Sequence, residues 1–132
     1  MPQGKVLVVE DELPTARMIK ATLENAGYEV AQAFDGSAAL EMVEQEQPDL
    51  ILLDIRLPNV DGWEVLRTLR ATPATEFTPV IVLTALSDNR HVAKGWTLGT
   101  DCYLTKPFKP DALLAMVNRF MELDQPPSAG TP

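Results

Sequence analysis

Five short apolar runs punctuate the chain, and each ends on a polar or turn-forming residue. Lys5 to Val9, KVLVV, delivers Glu10, Asp11 and Glu12 to its end. Tyr28 to Phe34 is a weaker, mixed run. Leu50 to Leu53 follows Pro48 and runs into Asp54, with Pro58 and Asp61-Gly62 beyond it. Pro79 to Leu83, PVIVL, ends at Thr84, and Cys102 to Thr105 ends at Lys106-Pro107. Apolar runs of this length, bounded by turn signals, read as strands of a parallel sheet buried on both faces. The mixed second run suits an edge.

Between the runs the apolar period changes to that of helices. Ala16, Ile19, Leu23 and Ala26 predict a first helix, entered at Pro14 and stopped by Gly27. Asp35-Gly36-Ser37 signals the cap of a second, with Ala39, Met42 and Val43 on its inner face. Val65, Leu66 and Leu69 mark a third, starting near Asp61. Ser87-Asp88 caps a fourth that runs to about Leu98, and Leu113, Leu114, Val117 and Met121 mark the last. Residues 125–132, QPPSAGTP, have the composition of a flexible tail or the start of a linker, so the domain is expected over 1–124.

Alternating strands and helices imply right-handed crossovers and a parallel sheet covered on both faces. The expected fold is α/β: a doubly wound five-stranded parallel sheet of order 2-1-3-4-5 with five helices. Its switch point lies between the first and third strands, and ligands bind at the carboxyl rim of such sheets. Glu10, Asp11, Asp54, Thr84 and Lys106 would therefore converge there from four adjacent strands.

Length and charge narrow the partners. The chain has 132 residues, the size of one domain, and a formal net charge of −8. Phosphate backbones and anionic lipid surfaces recruit Lys and Arg, so neither direct nucleic-acid binding nor membrane binding is expected. No apolar run approaches the roughly 18 residues of a membrane span. The N-terminus lacks the pattern of a secretory signal, and the single cysteine, Cys102, cannot form an internal disulfide. A cytoplasmic setting is expected. Cys102 itself reads as a small packing residue, His91 as a surface residue, and Trp63 as half-buried packing.

The rim acids carry the chemistry. Two carboxylates about 4 Å apart repel by about 4 kcal/mol at an effective dielectric of 20. Lys106 alone does not balance three of them. Mg²⁺, which takes oxygen ligands, fits better, and no His or second Cys is placed for zinc. An ion, a lysine and a hydroxyl together suit a phosphoryl group, and a carboxylate can carry it as an aspartyl-phosphate. Asp54, central and flanked by Leu53 and Ile55, is the best nucleophile.

Glu10-Asp11, Asp54, Thr84-Ala85 and Lys106-Pro107-Phe108 resemble the signature of response-regulator receiver domains, and the resemblance covers about residues 5 to 122. It implies a flavodoxin-like, chemotaxis-regulator-like fold and a place in a two-component phosphorelay. Asp54 would accept a phosphoryl group from a sensor histidine kinase or phosphotransfer protein. Asp11, Asp54 and the main-chain carbonyl of Arg56 would hold Mg²⁺, with Glu10 acting through water. Lys106, the Thr84 hydroxyl and the main chain at Arg56 and Ala85 would grip the phosphoryl oxygens. Tyr103 matches the family's switch aromatic. The resemblance places Trp96 on the face, formed by the 88–98 helix, the fifth strand and the last helix, that the family uses for partners, with packing into the core as the alternative. Trp96 and Tyr103 would anchor a downstream protein or output domain there. Catalysis would extend only to the chain's own phosphorylation and dephosphorylation.

Two rivals are weaker. Aspartyl-phosphate phosphatases of the haloacid-dehalogenase type place a second Asp two residues after the nucleophile, where this chain has Arg56. A flavin carrier would need small and hydroxyl residues after the first strand, where Glu10-Asp11-Glu12 stands. Within the family, AKGWTLGTDCYLTKPF resembles the winged-helix transcription regulators. Their salt-bridged dimer needs an acid after Asp101 and a base early in the last helix, and Cys102 and Met116 occupy those places. A stand-alone or differently wired receiver is expected, with the receiver fragment of a longer transcription regulator as the alternative.

Overall fold

The computed structural model of the chain describes residues 4–84 and 102–124. Five strands, β1 (Lys5–Val9), β2 (Glu29–Ala33), β3 (Leu50–Asp54), β4 (Val80–Thr84) and β5 (Cys102–Thr105), pair in parallel in the order β2-β1-β3-β4-β5. This is the doubly wound, flavodoxin-like order expected. Among the described residues the helices are α1 (Leu13–Asn25), α2 (Gly36–Glu46), α3 (Gly62–Ala71) and α4 (Pro110–Asp124). The helix expected over 88–98 and the tail at 125–132 lie outside the described residues.

The period of two along each strand sorts its side chains between two cores. Val6 and Val8 of β1, Leu50 and Leu52 of β3, and Ile81 and Leu83 of β4 pack with Ile19 and Leu23 of α1 and Leu113 and Val117 of α4. The alternate residues Leu7, Val9, Ile51, Leu53, Val80 and Val82 pack with Val43 of α2 and Val65, Leu66 and Leu69 of α3. Every residue of β3 and β4 is buried. Each fully buried aliphatic side chain contributes about 1.5–3 kcal/mol, so a register slip of one residue is strongly disfavoured.

The edge strand β2 is one residue shorter at each end than its pattern suggests. Tyr28 leaves it to pack in the α1–α4 core, where its hydroxyl donates to the Asn118 side chain. Phe34 leaves it at the other end and is exposed. Trp63 is more deeply buried than expected, packed in the α2–α3 core at the start of α3. Cys102 is partly buried against the opposite core.

Two aspartates set the helix starts that matter for the site. Asp35 Oδ1 accepts from Ala38 N at 2.7 Å, and Asp61 Oδ1 accepts from Trp63 N at 2.7 Å and Glu64 N at 3.1 Å. These caps fix α2 and α3 against the loop that leaves β3. Glycine is required at both contacts. A Cβ on Gly62 would stand 2.7 Å from the carbonyl oxygen of Asp54, and one on Gly36 would stand 2.8 Å from Cβ of Val60.

Candidate functional site

Three strand ends bring the chemistry together. β1 ends just before Glu10, β3 ends on Asp54 and β4 ends on Thr84. All three residues are almost fully buried, at 0 %, 4 % and 3 % exposure. β5 ends just before Lys106, whose N–H donates to the Thr84 carbonyl at 2.8 Å and so continues the β4–β5 ladder by one rung. That rung aims the lysine side chain back across the rim towards β3 and β1.

The ammonium of Lys106 sits among three carboxylates. Its Nζ lies 2.6 Å from Glu10 Oε1, 3.0 Å from Asp54 Oδ2 and 3.2 Å from Glu12 Oε1. Asp54 Oδ1 accepts from Arg56 N at 2.9 Å, and Glu10 Oε2 accepts from Glu12 N at 3.2 Å. Glu10 Oε1, although close to the ammonium, is shut off from solvent and accepts no aligned hydrogen bond. The cleft above these groups encloses about 310 Å³ and is lined by Asp11, Glu12, Asp54, Arg56 and Lys106.

The electrostatics follow from burial. Burial pushes the Glu10 carboxyl up to about 7; the Lys106 ammonium pulls it down, and the neighbouring Asp54 carboxylate raises it again. Burial alone would lower the pKa of Lys106, but its pairing with Glu10 and Asp54 outweighs that and leaves it raised. Lys106 is therefore a fixed cation, and Glu10 is the group in the cleft that titrates near neutrality.

The donor set suits a hard divalent cation. Carboxylate oxygens of Glu10, Glu12 and Asp54 all lie within 4.8 Å of one another. One of them is a buried oxygen without an aligned donor, and one ammonium does not neutralise three acids. Oxygen-only donors of this kind fit Mg²⁺ and not a sulfur- or imidazole-seeking metal.

The expected residues are distributed as follows. Glu10, Asp54, Thr84 and Lys106 meet at the rim. Arg56 lines the cleft and its main-chain N–H is turned to Asp54. Asp11, expected as a direct ligand, is exposed and lines the cleft; the clustered carboxylates are those of Glu10, Glu12 and Asp54. Glu12, delivered to the rim with Glu10 and Asp11, had no role of its own assigned from sequence. Tyr103 is partly buried against the α2–α3 core, paired in register with Val82. Ala85 and Trp96 lie outside the described residues, so the aromatic pair of the expected partner face is described only at Tyr103. The Lys106–Pro107 peptide is cis.

Fold and cleft together define a doubly wound α/β domain with an acidic pocket and a lysine at its switch point. The chain matches the response regulator receiver domain model over residues 6–118 and belongs to that family, the receivers of two-component response regulators. It is 40 % identical over 117 residues to the DNA-binding dual master transcriptional regulator RpaA of Synechocystis, covering 89 % of this chain and 48 % of that protein. It superposes with a TM-score of 0.84 and 34 % identity on the chemotaxis response regulator CheY4 of Vibrio cholerae, covering 88 % of this chain and 97 % of that one. It superposes with a TM-score of 0.83 and 34 % identity on the receiver domain of a sensor histidine kinase of Pseudomonas aeruginosa, covering 90 % and 98 %. That structure holds a magnesium ion coordinated in its active-site cleft. The chain spans about half the length of the curated relatives it matches. Among the described residues no helix is long and apolar enough to cross a membrane.

Proposed function

We propose that Asp54 is the phosphoacceptor of a phosphorelay and that its phosphorylation switches a surface read by a partner. The observation that carries this is the buried Asp54 carboxylate at the end of β3, one oxygen held by Lys106 and the other by the Arg56 N–H, open to a cleft rimmed by further acids. As an oxygen of Asp54 bonds to the donor's phosphorus, the phosphorus–nitrogen bond of a phosphohistidine breaks and the leaving imidazole keeps its electron pair. Asp54 emerges as an acyl phosphate. Lys106 moves from carboxylate to phosphoryl oxygen, and the Thr84 hydroxyl donates to another, with the main-chain N–H groups of Arg56 and Ala85 alongside.

Mg²⁺ is the cofactor this donor set suits, and when bound it neutralises the transferring oxygens. Asp54, the Arg56 carbonyl and Asp11, which lines the cleft, would hold it, with Glu10 acting through water. Catalysis would extend only to the chain's own phosphorylation and dephosphorylation, which makes it a switch and not an enzyme with turnover on a small molecule. The donor is a sensor histidine kinase or phosphotransfer protein, and the setting is the cytoplasm. The net charge of −8 assigns any contact with nucleic acid to a partner or a separate domain.

The receiver domain proper is assigned to 1–124, with 125–132 as tail or linker. A second reading, the receiver half of a longer transcription regulator, draws support from relatives about twice as long, one of them DNA-binding. The test of the central reading is phosphorylation by labelled acetyl phosphate with Mg²⁺. A hydroxylamine-sensitive label that maps to Asp54 is expected; a label on any other residue refutes it.

A further inference from the structure

Glu12 is the one acid of the cleft to which neither the rim argument nor the family signature gives a task. It stands at the N-cap of α1, yet its side chain makes no capping hydrogen bond. Its Oε1 instead accepts from the Lys106 ammonium at 3.2 Å, while its N–H donates to Glu10. The ammonium donates to Asp54 and Glu12 and pairs in charge with Glu10, so three carboxylate oxygens lie within 3.2 Å of it. The three differ in one respect. The side chains of Glu10 and Asp54 are 0 % and 5 % exposed, whereas that of Glu12 is 63 % exposed.

That asymmetry gives Lys106 a way out. With divalent charge placed between Glu10 and Asp54, the ammonium cannot keep its position 2.6 Å and 3.0 Å from those same carboxylates. The remaining acceptor, Glu12, lies on the solvent side. We propose that Glu12 is a positioning residue that holds the displaced Lys106 ammonium at the mouth of the cleft, still within reach of a phosphoryl oxygen. The inference rests on the phosphoacceptor reading of the cleft.

The experiment is calorimetric titration of the full chain with Mg²⁺, in a double-mutant cycle. Exposed ion pairs contribute a fraction of a kcal/mol to about 1 kcal/mol, so Glu12→Gln should weaken Mg²⁺ binding by roughly two- to fivefold. In a Lys106→Ala background the same substitution should leave the dissociation constant within about the error of the method. Equal weakening in both backgrounds overturns the inference, because Glu12 would then act on the ion itself. Tighter binding by Glu12→Gln also overturns it, since Glu12 would then only lock the lysine in the metal-free cleft. Failure of the unsubstituted chain to bind Mg²⁺ overturns the phosphoacceptor reading, and this inference with it.

Discussion

Oδ2 of Asp54 accepts a hydrogen bond from Nζ of Lys106 at 3.0 Å across 52 residues of chain. The pair joins the ends of β3 and β5 over the intervening β4. Asp54→Asn keeps an oxygen for the Arg56 N–H and removes one of the repelling charges, while giving up the pairing with Lys106. These changes oppose each other, so the variant should unfold in urea within about 1 kcal/mol of the parent. It should take no hydroxylamine-sensitive label from acetyl phosphate. A labelled, normally folded variant would place the acceptor elsewhere.

Glu10 couples stability to pH. Its carboxyl rises from 4.5 to about 7 on folding. Between those values the folded chain holds a proton that the unfolded chain has released, so stability is greatest below the lower value and falls as pH rises towards 7. A shift of this size corresponds to at most about 3 kcal/mol. In metal-free buffer the urea midpoint should therefore drop from pH 5 to pH 7.5, and Glu10→Gln should flatten the drop. A pH slope that survives the substitution would assign the titration to another group.

The sheet and most of the rim were legible in the sequence because each strand is an apolar run cut off by one polar residue, and β3 and β4 are buried throughout. The alternation of Leu7 and Val8, or Leu52 and Leu53, between two cores was not legible, since uniformly apolar strands carry no period. Glu12 was missed for a different reason. Its contact depends on where Lys106 points, 94 residues later, and no local pattern encodes that. Tyr28 left its strand for a similar non-local reason, the hydroxyl partner on α4.

Gly62 holds the loop after β3 in place. An added Cβ would stand 2.7 Å from the Asp54 carbonyl oxygen and nearer still to Cα of Ile55, and main-chain atoms cannot swing aside as a side chain can. Gly62→Ala should cost about 1–3 kcal/mol, the range for overpacking. Because the displaced atoms are the Asp54 carbonyl oxygen and the Ile55 main chain that follows it, the variant should also slow phosphorylation by acetyl phosphate at temperatures where it remains folded. Unchanged stability and rate would show that α3 can retreat without moving the acceptor.

The switch should run through Thr84 and Tyr103. Tyr103 pairs with Val82 on the neighbouring strand and packs on the α2–α3 side, as Val82 does. Thr84, two residues after Val82, faces the same side of the sheet by the period of two. A movement of the Thr84 hydroxyl towards a phosphoryl oxygen on Asp54 would thus open space on the face that Tyr103 occupies. One hydrogen bond to a charged group is worth about 1.5–3 kcal/mol. Shifting a population from 1:99 to 99:1 needs about 5.5 kcal/mol. Thr84 alone is too weak for a complete switch, so Lys106, released from the carboxylates, must supply the rest. Thr84→Ala should therefore still accept phosphate but show only a partial response at Tyr103. Amide exchange over 80–84 and 102–106, with and without beryllofluoride and Mg²⁺, reads this directly. A full response in Thr84→Ala would remove the hydroxyl from the relay and leave it to Lys106 and the main-chain N–H groups.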